Sequence, residues 1–493
     1  MRDLDDHLSV TRSAWRGRRV LWSAAFVAAA SIGSIAVPDG TAGAGPPAPS
    51  NIGYVYVGTS PLAVLSQSAT GQLKVVSHAT IGAAIGIAIA HAKNGLNLYA
   101  LAPRSGGVYS VYHFLVNQST GALTPQGGAV GSYNAASLPD DLAAYDGRGM
   151  NPKWSSELYL VDQSPSPQHA RIDHLAINPT TGVVTPDGAT TLLGTTGAFS
   201  MALGGRNVDV LVGLPNTGIV VGTINQSSGK LTGTSGSYSL TIAGQAPPTD
   251  CYCDPNAVAA RPGLLAMNGD QGTKIPSGRT YGVGDFHISS GGATQDAMGP
   301  NSATYGIAGA PITYVGDRVV TTSSDATYSG SGIELFTPTG AVETESLTVD
   351  ATGGYPTSIL ALGHYLYVEM TGGLAQLRTT ASGSGVTLLS PAIVPIGGSA
   401  AMSGFLLHPA STTITSHPPT VVKTTASTYT AKFKFTSDEY GTFSCKVDGG
   451  SFSTCTSPVS RVVGLGTHVF SVRATDSAGI AGPVVQASFR VTH

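Results

Sequence analysis

Charged side chains are scarce in this sequence. Only 11% of its 493 residues are Asp, Glu, Lys or Arg, and the formal net charge is -3. Such a chain lacks the cationic surface that nucleic acid or an anionic membrane requires, so we expect neither partner. What is abundant is glycine, with 64 residues, and 41% of the chain is apolar. Alternating apolar runs between glycine-rich turns predict an all-β fold rather than disorder.

Cysteine is also scarce, and all four cysteines lie in the second half of the chain. Cys445 and Cys455 flank a hairpin with Asp448-Gly449 at its tip, which predicts a disulfide. Their offset requires a bulge or a loop longer than two residues. Cys251 and Cys253 are separated by one residue, which allows a strained local disulfide or part of a zinc site. We favour the disulfide, because zinc needs more ligands than this pair supplies.

Long hydrophobic runs are absent except near the N-terminus. Four arginines between Arg12 and Arg19 precede an apolar run over residues 20–37, and Ala42-Gly43-Ala44 follows as a small-residue cleavage site. This pattern predicts that residues 1–44 are a cleaved export signal, through either the general secretory or the twin-arginine route. We therefore expect a secreted or cell-surface protein, monomeric and without a membrane-spanning segment after cleavage.

One turn pattern recurs along the chain. The segments "LVNQSTGALT", "AINPTTGVVT" and "TINQSSGKLT" each join an apolar strand to a shorter one through a Thr-Gly or Ser-Gly step. Glycine suits such a turn because it adopts positive φ without steric cost. Recurrence roughly every 50 residues is typical of a four-stranded propeller blade. Clear or fainter copies of the turn occur at Gly71, Gly121, Gly182, Gly229, Gly291, Gly340 and Gly385.

A second pattern follows each turn: a run of small apolar residues, and then a strand that often contains a Leu-Tyr pair. Small residues suit innermost strands, which crowd near a propeller axis. Tyr54–Thr59 reads as a second strand with no inner strand before it, and Ser403–His408 reads as an inner strand with no second strand after it. These two ends predict one shared blade and a closed seven-bladed β-propeller over residues 51–410.

The pattern changes after residue 410. Residues 411–419 are rich in Pro, Ser and Thr and read as a linker. Residues 420–493 contain strands such as "YTAKFKFTS", in which apolar and polar residues alternate. This alternation predicts a small β-sandwich over residues 420–493 that is covered on one side of each sheet.

The ring sequence resembles a known family. The pattern "YVYVGT... TGQL... LYAL... TGALT... ELYLV" is similar to lactonase-type seven-bladed propellers, related to 6-phosphogluconolactonase and to YVTN surface-layer propellers. The resemblance implies a lactone-opening hydrolase. The chain departs from that family where a His should follow an inner-strand Pro: Asp140, Asn256 and Thr357 stand there instead. The C-terminal segment resembles Ig-like or fibronectin-like modules of secreted bacterial proteins, which implies an accessory or adhesive role.

Loops that lead into innermost strands converge on one mouth of a propeller, so polar residues in them can act together. Carboxylates gathered there can hold a calcium ion or act as a base. The chain has no G-x-S-x-G nucleophile motif, and we expect His113 and His174 to serve packing or to lie at the surface rather than to be catalytic. The candidate mouth residues are Asp140, Asp141, Asp254, Asn256, Tyr305, Tyr355 and Thr357.

Two functional hypotheses follow. The first is a binding or interaction scaffold that takes a small molecule, a glycan or a protein at the mouth, with the C-terminal sandwich as an accessory module. The second is a lactonase-like hydrolase that opens a cyclic ester at the same place with a carboxylate or a metal-activated water. The low charge and the absence of a recognised catalytic motif favour the first hypothesis.

Overall fold

The protein is described by a computed structural model, and every described residue lies in a strand, a turn or irregular backbone, with none in a helix. The predicted export signal, residues 1–44, lies outside the described part. The description covers residues 51–104, 108–134, 139–145, 156–162, 171–192, 201–204, 209–214, 218–225, 228–238, 252–261, 264–272, 280–289, 292–300, 305–306, 311–315, 318–325, 331–336, 342–350, 356–370, 373–379, 386–397, 401–407, 411–437, 441–476 and 481–493.

The first thirty strands, in chain order, build a series of antiparallel sheets. They are β1 (Asn51–Val57), β2 (Leu62–Ser68), β3 (Leu73–Ala79), β4 (Gly86–Ala92), β5 (Gly95–Arg104), β6 (Val108–Val116), β7 (Leu123–Pro125), β8 (Val130–Asn134), β9 (Pro139–Tyr145), β10 (Glu157–Asp162), β11 (Arg171–Ile177), β12 (Val184–Leu192), β13 (Met201–Gly204), β14 (Asp209–Leu214), β15 (Gly218–Ile224), β16 (Leu231–Tyr238), β17 (Tyr252–Arg261), β18 (Leu264–Gly272), β19 (Thr280–Ser289), β20 (Gly292–Pro300), β21 (Tyr305–Gly306), β22 (Ile312–Val315), β23 (Arg318–Asp325), β24 (Ser331–Phe336), β25 (Val342–Asp350), β26 (Pro356–Leu362), β27 (Tyr365–Met370), β28 (Gly373–Thr379), β29 (Val386–Val394) and β30 (Met402–Leu406).

These strands form seven antiparallel sheets within the described residues. Sheet 1 has the order β30-β1-β2-β3, and sheet 2 has the order β4-β5-β6-β7, with β8 also pairing β6. Sheets 3, 4 and 5 are β9–β12, β13–β16 and β17–β20 in chain order. In sheet 6 both β21 and β22 pair β23, which continues to β24 and β25, and sheet 7 is β26–β29. Each sheet except sheet 1 therefore comes from one continuous stretch of chain.

Sheet 1 joins the two ends of this series. Strand β30 pairs antiparallel with β1 in the register Tyr56 to Ser403 and Val57 to Met402. The prediction that Tyr54–Thr59 shares a sheet with Ser403–His408 is confirmed for the described residues of those segments. Residues almost 350 positions apart thus close the series.

The burial pattern explains which strand takes which place. The second strands β10 and β27 are buried along their whole length, because neighbouring sheets cover both of their faces. The outer strand β3 alternates buried and exposed residues, as expected where one face meets solvent. The inner strand β4, "GIAIAHA", is built from small residues that allow close approach of the next sheet.

The inner strands contact one another in a closed cyclic order. Contacts run from β30 to β4, β9, β13, β17, β22 and β26, and from β26 back to β30. This arrangement of antiparallel sheets is an all-β, β-propeller-like fold, as the sequence predicted.

Eight further strands form a C-terminal module of two sheets that share one apolar core. One sheet has the order β31-β33-β36 and the other has the order β32-β38-β37-β34-β35. Phe433 of the first sheet stacks on Phe470 of the second, with ring centroids 3.9 Å apart. The strands are β31 (Thr412–Ser416), β32 (Val421–Lys423), β33 (Tyr429–Ser437), β34 (Gly441–Val447), β35 (Ser453–Cys455), β36 (Val459–Val463), β37 (Gly466–Asp476) and β38 (Val485–Thr492).

The structure corrects the linker predicted over residues 411–419. Thr412–Ser416 forms strand β31, which pairs with β33, and the buried Thr412 hydroxyl accepts a hydrogen bond from the Ala474 amide. The segment was predicted as a linker because of its Pro, Ser and Thr content. Its prolines flank the strand and do not lie inside it, so they do not prevent pairing. The other predicted domain boundaries stay predictions.

The predicted disulfide between Cys445 and Cys455 is present, with Cα atoms 5.8 Å apart. The five-residue loop between β34 and β35 accommodates the offset of the two cysteines, as the sequence required, and Asp448 adopts a φ of 52° in that loop. This disulfide is compatible with a secreted protein. In the described part of the chain, no helix has the length and apolar character needed to span a membrane.

Candidate functional site

The mouth is the end of the ring at which the inner strands begin. Neighbouring inner strands β26 and β30 run in the same direction: a Cβ built on Gly404 would lie 3.2 Å from Leu360, and one built on Gly363 would lie 3.2 Å from Leu406. Strands that run in the same direction place their first residues at the same end. In each antiparallel sheet the last residues of the second strand also reach this end.

The backbone positions of five predicted mouth residues are described. Asp140 and Asp141 are the second and third residues of β9, and Asp254 and Asn256 lie near the start of β17. Tyr305 is the first residue of β21. The side chains of these five residues lie outside the described part of the structure, as do Tyr355 and Cys251 and the side chain of Cys253.

Thr357 is the predicted mouth residue whose side chain is described. It is exposed at the start of β26, and its hydroxyl donates to the Glu369 carboxylate at 3.0 Å. Glu369, near the end of β27, is completely buried. Sequence reasoning missed this carboxylate because it sits inside an apolar strand, "YLYVEM". Thr357 therefore holds a buried acid beside the mouth.

A second polar cluster lies at the same end of sheet 3. Arg171 at the start of β11 contacts Asp162 at 2.7 Å and Asp173 at 3.3 Å. Asp162 ends β10 and pairs with Pro139, next to the two predicted acids of β9. Burial, and then the charges of Asp173 and Asp162, raise the pKa of Tyr133 in β8, so the cluster also reaches sheet 2. It gathers an arginine and two carboxylates beside the mouth.

The sequence allows a calcium site at the mouth. No group of three or more His, Cys, Asp or Glu residues suitable for a metal ion occurs in the part of the chain that is described. Calcium at the mouth stays a prediction that concerns the acids whose side chains are not described.

The opposite end of the ring explains the repeated turn. Among the described residues, a second-strand tyrosine in each of four sheets donates its hydroxyl hydrogen to the carbonyl of the turn glycine in the next sheet. The glycines need their positive φ, and a side chain there would strike the residue two positions before the tyrosine. The contacts are Tyr56 to Gly121 at 3.0 Å, Tyr99 to Gly182 at 2.7 Å, Tyr159 to Gly229 at 2.6 Å and Tyr367 to Gly71 at 2.7 Å.

The expectation that His113 serves packing agrees with its contacts. It is buried, stacks on Tyr99 with ring centroids 5.1 Å apart, and donates from Nε2 to Asn97 Oδ1 at 2.8 Å. Burial lowers the pKa of His113 to about 4, so the ring is neutral at pH 7.

His174 occupies the equivalent position in sheet 3 but lies between two acids. Its Nε2 is 2.9 Å from Glu157 and its Nδ1 is 3.0 Å from Asp187, which also contacts Lys230 of sheet 4 at 3.4 Å. Burial lowers the pKa of His174, but the hydrogen bonds and charges of the two carboxylates outweigh it and raise the pKa. This buried group joins sheets 3 and 4 and lies away from the mouth.

Comparisons with known proteins give similar folds and no family. No protein-family model matches the chain, and no curated protein matches it. Among solved structures, a protein from Bacteroides uniformis described provisionally as a 6-phosphogluconolactonase is 9% identical, over 72% of this chain and 99% of its own, with a TM-score of 0.49. A counterpart from Bacteroides fragilis is 14% identical, over 72% and 98%, with a TM-score of 0.48.

A third similar structure, apo AztD from Citrobacter koseri, is 11% identical over 72% of this chain and 98% of its own, with a TM-score of 0.38. The two Bacteroides proteins bear the same family name to which the sequence resemblance pointed. Likenesses this distant carry no argument about chemistry. The function proposed for this protein therefore depends on where its own residues lie at the mouth.

Proposed function

We propose that the seven sheets are the blades of one ring and that its mouth binds a small polar molecule and opens a cyclic ester. The observation that carries this proposal is the backbone position of acids from separate sheets. Asp140 and Asp141 stand at the start of inner strand β9, and Asp254 stands near the start of β17. Carboxylates brought to one opening are the groups that a water-activating site requires.

The reaction follows from these residue types. A mouth carboxylate takes a proton from water while the water oxygen bonds to the lactone carbonyl carbon. Arg171 contacts Asp162, whose strand partner Pro139 precedes Asp140, and a cation there stabilises the negative oxygen of the tetrahedral intermediate. The ring C–O bond then breaks, and the departing oxygen takes the proton back. The product is an open-chain hydroxy acid.

The second candidate is a scaffold that binds a small molecule, a glycan or a protein at the mouth without turnover. Three described histidines of the ring favour it: His91, His113 and His174 are buried in the sheets, whereas His78 and His364 are exposed. Under either proposal the protein is exported as a monomer to the medium or the cell surface.

The two candidates separate in one experiment on the exported chain. A panel of lactones is assayed with the unaltered protein and with Asp140→Ala and Asp254→Ala, and Asp448→Asn in the C-terminal module serves as the control. Hydrolysis predicts turnover that either mouth variant abolishes at an unchanged melting temperature, while the control keeps full activity. Absence of turnover with every lactone would leave the scaffold, and unchanged activity in both mouth variants would remove the mouth site.

A further inference from the structure

Several described cations lie on the outer face of the five-stranded sheet in the C-terminal module. Residues alternate along β34 and β37, so that Phe470 and Val472 enter the core while Lys446 and Arg473 lie on the opposite face. Arg490 of β38 is exposed on the same face. This face is separate from the mouth and does not depend on the proposed function.

A single phenylalanine gathers two of these cations. Arg473 pairs with Ser444, and Lys446 pairs with Ser471, so the two cations lie diagonally across neighbouring strands. Phe452 ends the loop between β34 and β35. Its ring centroid lies 5.1 Å from Lys446 Nζ and 4.6 Å from Arg473 Cζ. The ring therefore lies within cation–π distance of both an ammonium and a guanidinium group.

No acid balances this pair among the described side chains. Lys446 and Arg473 form no ion pair there, and Arg473 Nε is buried without a hydrogen-bond partner. Asp448 lies two residues from Lys446, but it accepts hydrogen bonds from His468 at 2.9 Å and from the Val469 amide at 2.8 Å. Two adjacent like charges repel each other, and an anion between them removes that repulsion.

We propose that this face binds an acidic polysaccharide, with a sugar carboxylate between Lys446 and Arg473. The surrounding side chains fit a hydroxylated polymer, because Ser444, Gln486 and Ser488 lie on the same face. Arg490 offers a further cation along the sheet. Both cations lie within cation–π distance of the Phe452 ring, so the ring positions them.

Binding to immobilised polygalacturonate tests this proposal with the exported chain. The double variant Lys446→Gln/Arg473→Gln should bind about tenfold more weakly, since it loses two charge-assisted contacts. The matched control is Lys432→Gln/Lys434→Gln, which removes two exposed lysines from β33 in the other sheet and should bind as the unaltered protein does. Melting temperatures of both double variants verify folding.

Phe452→Leu separates positioning from charge. It keeps both cations and releases them from the ring, so it should weaken binding less than the double variant while leaving the dependence on salt concentration intact. If the double variant does not fold, Lys446→Gln alone supplies the test and should also weaken binding.

Four results would overturn the proposal. They are absence of binding to polygalacturonate, equal loss of affinity in the β33 control, equal binding to neutral dextran, and equal or tighter binding to polyphosphate or single-stranded DNA. The last result would assign the face to phosphate polymers instead.

Discussion

The hydrogen bond between Tyr99 and Gly182 allows a quantitative test of how adjacent sheets are joined. Tyr99 is completely buried, and its hydroxyl donates to the Gly182 carbonyl at 2.7 Å. Tyr99→Phe removes this donor and leaves the buried carbonyl without it. A hydrogen bond contributes about 1 kcal/mol net, and an unsatisfied buried partner adds to the loss, so we expect a destabilisation of about 2 kcal/mol.

Urea unfolding measures this change, with Tyr112→Phe as the matched control. Tyr112 lies in the same sheet, and no hydrogen bond of its hydroxyl occurs among the described contacts. The control should therefore stay within about 0.5 kcal/mol of the unaltered protein. Equal free energies of unfolding for the two variants would refute the claim that the tyrosine–glycine contact holds neighbouring sheets together.

Three further predictions concern other contacts. Gly121→Ala should lower the free energy of unfolding by about 2 kcal/mol or more, because φ is 71° at this position and the new methyl group would strike the Tyr54 ring. The control Gly127→Ala has a similar φ but open space around it, so it should lower the free energy of unfolding less in the same urea assay. The pKa of His174 is raised in the folded protein, so its protonation stabilises the fold fully below about pH 6.5, and this stability is lost as the pH rises through the folded-state pKa. The free energy of unfolding should therefore fall more steeply with rising pH in the unaltered protein than in His174→Gln. Parallel curves for the two proteins would contradict this prediction. Cys455→Ala should destabilise the C-terminal module by about 3 kcal/mol in the chain-entropy model, and an unchanged melting curve of that module would contradict this.

The sequence predicted the parts of the ring better than the way they join. The turn glycines and the Leu-Tyr strands were both visible as repeats, because each depends on local backbone geometry. The contact from Tyr159 to Gly229 joins one sheet to the next across 70 residues, and no local pattern reveals it. The pairing of β1 with β30 was an exception. The first segment lacks an inner strand before it and the last lacks a second strand after it, so the two together predicted a shared sheet.

Buried polar groups were the features that the sequence did not show. Glu369 and Asp162 stand inside or at the end of apolar strands, and their partners Thr357 and Arg171 are 12 and 9 residues away. Strand β31 was missed for a related reason: its partner β33 supplies the pairing that Pro, Ser and Thr composition alone does not predict. Tertiary partners decided both outcomes.

Closure of the ring through β1 and β30 is the central claim, and a register-specific disulfide tests it most directly. Val57 and Met402 are direct partners in that pairing, and Cα atoms of antiparallel partners are about 5 Å apart, within the range that a disulfide spans. The account predicts that Val57→Cys/Met402→Cys cross-links in the folded protein, seen as a joined peptide after proteolysis, whereas Val57→Cys/Leu406→Cys, four positions out of register, does not. Free thiols in the first variant, or equal cross-linking in both, would contradict a closed ring.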